Sequence, residues 1–316
     1  MVKLKRYEKN PILKPSKCGI WEIEEEKFNP CVIEFKNKYI MLFRKVLPIK
    51  NSRKLNVSFI GICESKDGLE FKKEEILFGP QYSYEAYGCE DPRVTKVEKN
   101  YFITYTALGS IPPKPETVRL SLAITKDFKN VEKIGLITPY NSKAGFIFPK
   151  RFNNKLCLMF TYNPDIAPSQ IAVVYFNEIK ELKDENFWKN YQIENYFLNL
   201  KRVSPFVEVG APAIETKEGW LLIMPEIIFE GGIFKEFRIT AALLDLEDPT
   251  KILSQLKEPL LVPEVGYEME RDFEPKKIAF PSGTLIKDDK LYVYYGASDR
   301  YCCLATCNIN ELLQEL

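Results

Sequence analysis

Apolar and polar positions follow one another along this chain in short runs, and the runs return in the same order five times. The first copy reads Phe28-Asn29-Pro30-Cys31-Val32-Ile33, then a polar Lys36-Asn37-Lys38, then Tyr39-Ile40-Met41-Leu42-Phe43-Arg44. The second passes from Glu90-Asp91-Pro92-Arg93-Val94 through Glu98-Lys99-Asn100 to Tyr101-Phe102-Ile103-Thr104-Tyr105. Ile147-Phe148-Pro149, Ala211-Pro212-Ala213-Ile214 and Phe280-Pro281-Ser282-Gly283 open the remaining three, and each leads through a polar turn to another aromatic or aliphatic run. β-Branched and aromatic residues flanking a short polar turn predict an antiparallel hairpin. Most copies continue into a further apolar run, such as Val57-Ser58-Phe59-Ile60-Gly61-Ile62 or Arg238-Ile239-Thr240-Ala241-Ala242-Leu243, which predicts a third strand.

The copies begin roughly sixty residues apart, the length of a four-stranded propeller blade with its loops. The pattern therefore predicts an all-β fold, one five-bladed β-propeller over residues 1–316, with a β-sandwich as the competing architecture. If the first strand of every blade lines a central channel, then Asn29, Asp91, the 143–148 stretch, Ala211 and Phe280 gather at one mouth. A pocket is expected there.

Composition narrows the chemistry. The 316 residues are 45% hydrophobic and 28% charged, enough apolar mass for a large core. Lys+Arg 45 against Asp+Glu 44 leaves a net charge of +1, so no basic face for nucleic acid is indicated. The segment that begins Met1-Val2-Lys3-Leu4-Lys5-Arg6 has no apolar run of signal-peptide length, and no later segment approaches a membrane span. The expected compartment is the cytoplasm, and the eight cysteines are expected as reduced thiols. The chain has no histidine. Imidazole acid–base chemistry, Ser-His-Asp and Cys-His nucleophiles and His-ligated zinc are all excluded. Carboxylates, Lys, Tyr and backbone groups remain, and no cofactor or metal is implied.

Glu90 and Asp91 stand side by side before Pro92 and Arg93. A proline at a strand start with an arginine neutralising its neighbours is one reading; a pair of carboxylates at a channel mouth is the other. The ordered set favours the second. Phe28-Asn29-Pro30 with Phe43-Arg44, Gly88-Cys89-Glu90-Asp91-Pro92-Arg93, Phe148-Pro149, Gly210-Ala211-Pro212 and Phe280-Pro281-Ser282-Gly283 before Tyr294-Tyr295-Gly296-Ala297-Ser298-Asp299 resemble glycoside hydrolase family 130, the β-mannoside phosphorylases and hydrolases. The resemblance runs from about residue 10 to the C-terminal end. It implies that Asp91 is the general acid of an inverting reaction, protonating the leaving oxygen directly or through a mannose hydroxyl. It also implies sugar contacts from Asn29, Arg44, Arg93 and Asp299. Glu90 lies next to the acid, where a like charge favours protonation, and Tyr295 or Tyr87 offers a stacking face.

The nucleophile depends on what became of the family's phosphate-binding cations. Lys143 survives in Ser142-Lys143-Ala144, but an acidic neighbour is lost. Counting along the chain puts Thr161, Phe206 and Pro225 where three further cationic or histidine groups are expected. Glu208 and Glu226 enter the same two latter segments. Fewer cations and more carboxylates favour a water activated by Glu226 or Glu208. The expectation is thus an inverting β-mannosidase acting on manno-oligosaccharides. A β-mannoside phosphorylase using inorganic phosphate, with Arg151 and Arg202 rebuilding the anion site, is the alternative, and a non-catalytic sugar-binding propeller is a third. A homo-oligomer is compatible with the 184–200 segment, and nothing calls for a membrane or nucleic-acid partner.

Overall fold

A computed structural model describes residues 1–18, 23–48, 56–269 and 277–316 of the chain. Two short strands, β1 (Lys5–Arg6) and β2 (Ser16–Cys18), precede five antiparallel units in chain order. Unit one is β3 (Ile23–Phe35), β4 (Lys38–Pro48), β5 (Asn56–Ser65) and β6 (Lys72–Phe78). Unit two is β7 (Gly88–Val97), β8 (Asn100–Leu108), β9 (Val118–Thr125) and β10 (Val131–Leu136). Unit three is β11 (Ser142–Ile147), β12 (Leu156–Tyr162) and β13 (Gln170–Phe176). Unit four is β14 (Ile214–Glu215), β15 (Trp220–Glu230), β16 (Ile233–Leu244) and β17 (Ile252–Gln255). Unit five is β18 (Lys277–Lys287), β19 (Lys290–Ala297) and β20 (Tyr301–Asn308), and its fourth strand is β1 from the other end of the chain.

All five predicted hairpins form. Their polar turns hold left-handed residues such as Asn37, Asn154 and Asp289, which tolerate positive φ better than β-branched residues do. Backbone pairing does not keep the units separate, however. A parallel bridge links β5 to β7 and another links β16 to β18, so the strands group into three hydrogen-bonded sheets.

Side-chain packing restores the fivefold pattern. Because side chains alternate across a strand, each unit offers one apolar face to the unit before and one to the unit after. On β4, Leu42 packs toward Ile103 and Tyr105 of unit two, whereas Met41 and Phe43 pack toward Tyr294 and Leu304 of unit five. Three further cores fill the gaps between units two and three, three and four, and four and five. Five cores, one between every successive pair including five and one, make a closed ring of units.

The ends of the ring are tied by polar contacts as well. Arg6 on β1 donates through Nε and Nη2 to both oxygens of Glu268, at 2.9 and 2.8 Å. Glu268 is fully buried and also accepts from the Tyr295 hydroxyl at 2.8 Å. The seven cysteines whose side chains are described are buried and unpaired, and burial pushes several of their thiols well above the ordinary range. Such thiols are inert. Among the described residues no helix is long and apolar enough to cross a membrane.

Candidate active site

The inner strands share one local device. The ladder of β3 with β4 slips between Phe28 and Cys31, that of β7 with β8 between Glu90 and Arg93, and that of β11 with β12 between Lys143 and Gly145. Each slip holds a residue of positive φ: Asn29 at 51°, Asp91 at 51° and Ala144 at 44°. A bulge re-aims a side chain and interrupts the ladder, so a proline next to it forfeits no pairing hydrogen bond. Pro30 and Pro92 occupy those places. The adjacency of Asp91 and Pro92 is therefore the signature of a bulge that turns the carboxylate out of the sheet.

The turned side chains meet. Asn29 Nδ2 donates to Asp91 Oδ1 at 2.7 Å. Gly296 makes room for this contact, since a Cβ there would stand 2.1 Å from Asn29 Oδ1. Both Asn29 and Asp91 line a cavity of about 480 Å³, with Arg44, Glu90, Lys143, Glu208, Phe280 and Asp299. That volume suits a small ligand. Ala211, expected at this mouth, is buried behind it, and unit four contributes Glu208 instead.

Charge is distributed in two pairs. Arg44 Nη2 lies 2.6 Å from Glu90 Oε1, which also accepts from Ser58 Oγ at 2.8 Å, and Arg44 Nη1 is 3.7 Å from Asp91 Oδ1. Lys143 Nζ lies 3.0 Å from Glu208 Oε1. Burial raises the Glu90 carboxyl above its ordinary range, Arg44 opposes that shift and the Asp91 charge adds to it. Burial likewise raises Glu208, with Lys143 offsetting only part. Burial works against the Lys143 ammonium, but Glu208, Asp165 and Asp91 outweigh it and hold the group protonated.

Not every expected site residue reaches the cavity. Arg93 is fully buried beneath it: Nε donates to the Gly210 carbonyl at 2.6 Å and Nη1 to the Asp91 and Pro92 carbonyls at 3.1 and 3.2 Å. The expected sugar contact is instead a strut joining units two and four. Tyr295 is also fully buried and spends its hydroxyl on Glu268. Glu226 does not line the cavity and lies 3.5 Å from Arg238 Nη1 across the β15–β16 ladder. Of the two candidate bases only Glu208 stands with Asp91. Arg151 binds Glu98 and the Asn154 and Asn177 carbonyls, while Arg202 binds Ser169 and Gln170, so neither rebuilds an anion site.

The three positions reached by counting carry no cationic side chain. Thr161 faces Lys143 across β11–β12 and accepts the Val209 N–H at 2.9 Å. Phe206 packs on Phe229 and Phe234 at 4.9 Å each. Pro225 sits opposite Ile239 in the ladder. The cavity residues not anticipated from sequence include the polar Glu26, Asn56 and Ser58, near the arginine of unit one, and an apolar set of Leu108, Ile111, Pro113, Phe234 and Phe237.

A family model described as beta-1,4-mannooligosaccharide phosphorylase matches residues 3–316, essentially the whole chain. The chain belongs to glycoside hydrolase family 130. Two proteins of Thermoanaerobacter sp. (strain X514) are each 30% identical to it. One, named 1,2-beta-oligomannan phosphorylase, aligns over 99% of both chains; the other, named Beta-1,2-mannobiose phosphorylase, aligns over 96% of this chain and 97% of its own. Among solved structures, the Beta-1,2-Mannobiose phosphorylase of Listeria innocua in complex with beta-1,2-mannobiose superposes with a TM-score of 0.80 at 25% identity, covering 99% of each chain. The family 130 chain described here is accordingly a β-mannoside-active enzyme. The phosphorylase names count against the hydrolytic expectation.

Proposed function

We propose that this protein is a β-mannoside phosphorylase built on a five-bladed β-propeller, in which the five units are the blades and β1 closes the ring. Asp91 protonates the leaving glycosidic oxygen while an oxygen of inorganic phosphate attacks the anomeric carbon from the opposite face. The glycosidic C–O bond breaks, a C–O bond to phosphate forms, and the products are α-mannose 1-phosphate and the released alcohol. The observation that carries this reading is Lys143. It is the one cation of the expected phosphate segments that this chain retains, and it lines the same cavity as Asp91. Asn29 orients the acid through its 2.7 Å hydrogen bond, and Arg44 and Asp299 are placed to receive sugar hydroxyls.

Hydrolysis is the second reading, favoured by the 3.0 Å Lys143–Glu208 contact. The two readings turn on one proton. A neutral Glu208 leaves Lys143 to the phosphate and adds an O–H donor, whereas an ionised Glu208 holds Lys143 and acts as base toward water. The test is incubation with β-1,2- and β-1,4-mannobiose, with and without inorganic phosphate, following mannose and mannose 1-phosphate. Mannose 1-phosphate formed only with phosphate supports phosphorolysis. Two equivalents of mannose at a phosphate-independent rate establish the hydrolase and make Glu208 its base.

A further inference from the structure

The cavity has two unlike sides. Asn29, Arg44, Glu90, Asp91 and Lys143 come from the bulges and neighbouring strands of units one, two and three. Units two and four supply a different contribution from farther out. β15 and β16 form a long hairpin turning at Gly231-Gly232, both at positive φ; it pairs with β18 at Glu236 and Phe237 and brings Phe234 and Phe237 to the cavity. These rings stack at 5.8 Å and 26°, and Phe237 continues onto Phe280 at 6.2 Å. Behind them Phe206 and Phe229 contact Phe234 at 4.9 and 5.0 Å. The aromatic wall is thus braced by the residue that replaces an expected phosphate-binding cation. Leu108, at the end of β8, and Ile111 and Pro113 of the following loop line the same cavity.

Phe206, Phe229, Phe234 and Phe237 are only partly buried, so the rings keep exposed faces. Partly exposed aromatic clusters beside a pocket mark a surface that a ligand covers. The chemistry of that ligand follows from the partners. A sugar on an aromatic platform needs hydrogen-bonding groups around its edge, whereas Leu108, Ile111, Pro113, Phe234 and Phe237 offer no side-chain donor or acceptor. A flat or extended apolar group meets no unsatisfied polar atom there.

We infer that the Phe234–Phe237 face of the hairpin, with Leu108, Ile111 and Pro113, is an apolar leaving-group subsite that admits β-mannosides of aryl or alkyl alcohols. This rests on the reading of the polar side as the mannose site, and it names the class of alcohol that Asp91 protonates. Phe234 and Phe237 are specificity-determining residues that touch the leaving group and take no part in the proton transfer.

The test uses uncleaved ligands, so it does not depend on the nucleophile. Binding of phenyl and methyl 1-thio-β-D-mannopyranoside is measured by calorimetry on the full chain. The wild type is expected to hold the phenyl compound about tenfold more tightly, the effect of covering one ring. Phe234→Ala and Phe237→Ala are expected to bring the two ligands near parity by weakening the phenyl compound, with unchanged thermal melts showing that the variants are folded. Phe237→Leu, which keeps the wall apolar, retains most of the preference. Equal affinities in the wild type, or a phenyl preference that survives the double alanine variant, overturn the inference. Failure of both compounds to bind overturns the mannose site itself, a different result.

Discussion

Two sets of buried carboxylates in this molecule are built from the same residue types and end in opposite uses. Glu85 in unit two and Glu268 in unit five each sit on a short 3₁₀ turn ahead of an inner strand and are fully enclosed. Each accepts a backbone N–H from four residues earlier, Gln81 and Glu264, at 2.8 and 2.9 Å. A tyrosine of the second strand donates to each, Tyr105 at 3.0 Å and Tyr295 at 2.8 Å, and the outer strand brings a cation, Lys133 or Arg6. Two strands and the turn itself are thereby pinned to one carboxylate whose two oxygens are both satisfied. Glu90 and Glu208, by contrast, accept through one oxygen each, and among the described residues the other has no protein partner. A carboxylate with every lone pair engaged is a fastener; one left half-engaged beside a cavity is available for chemistry.

That contrast can be broken from either side, and the largest effect is expected at a fastener. Glu268→Ala removes the acceptor of Arg6 and Tyr295 and opens the junction where β1 closes unit five. A loss of about 3 kcal/mol is expected in urea unfolding, because one partner of a buried ion pair is left behind. A loss below about 1 kcal/mol would deny Glu268 the fastening role. Glu208→Gln should do the reverse: stability changes little, and phosphorolysis stays within about tenfold of the wild type, because the amide keeps a neutral donor beside Lys143. A loss of about 100-fold or more would mark Glu208 as the base of the hydrolytic reading.

Glu208 also predicts a pH dependence. Its carboxyl is raised in the folded chain, mainly by burial, so the folded state holds its proton more tightly than the unfolded chain does. The associated stability is fully present below the ordinary glutamate range and is lost as pH rises through the folded value. Glu90 is raised in the same sense. Thermal melts between pH 4 and pH 8 should therefore decline less steeply in Glu208→Gln than in the wild type. An unchanged slope would show that Glu208 ionises as freely folded as unfolded. The smallest effect belongs to Ala144, held at φ 44° where its counterparts are Asn29 and Asp91. Ala144→Gly should relieve that strain for a net gain of about 0.5 kcal/mol, read from the same urea curves.

The sequence made some of this visible and hid the rest for definite reasons. Strand periodicity and turn chemistry are local, so the five hairpins could be read directly, but the bulges at Asn29-Pro30 and Asp91-Pro92 could not, because a proline there reads equally as a strand start. Parity across a bulge is not local. At the far side of the slip, Arg93 turns under the cavity to the Gly210 carbonyl, although Glu90 and Asp91 line the wall. Glu226 looked equivalent to Glu208 because both lie in segments that lost cations. Its direction is set by pairing with Arg238, twelve residues on. Tyr295 was drawn off by Glu268, a partner that no spacing rule connects to it. Phe234 and Phe237 carry no polar signature, so nothing in their pattern separates a subsite wall from an ordinary strand. The fastener residues Arg6 and Glu268 are 262 positions apart and meet only because the ring closes.

The central claim is that Asp91, turned out of its strand by a bulge, is the acid of β-mannoside cleavage. Asp91→Asn tests it most directly, because asparagine keeps the size, the left-handed backbone and an oxygen for Asn29 while removing the acidic proton. Turnover of β-mannobiose in the presence of phosphate should fall by about 10³-fold or more, with an unchanged melting temperature. Activity within tenfold of the wild type would contradict the account and place the proton donor elsewhere.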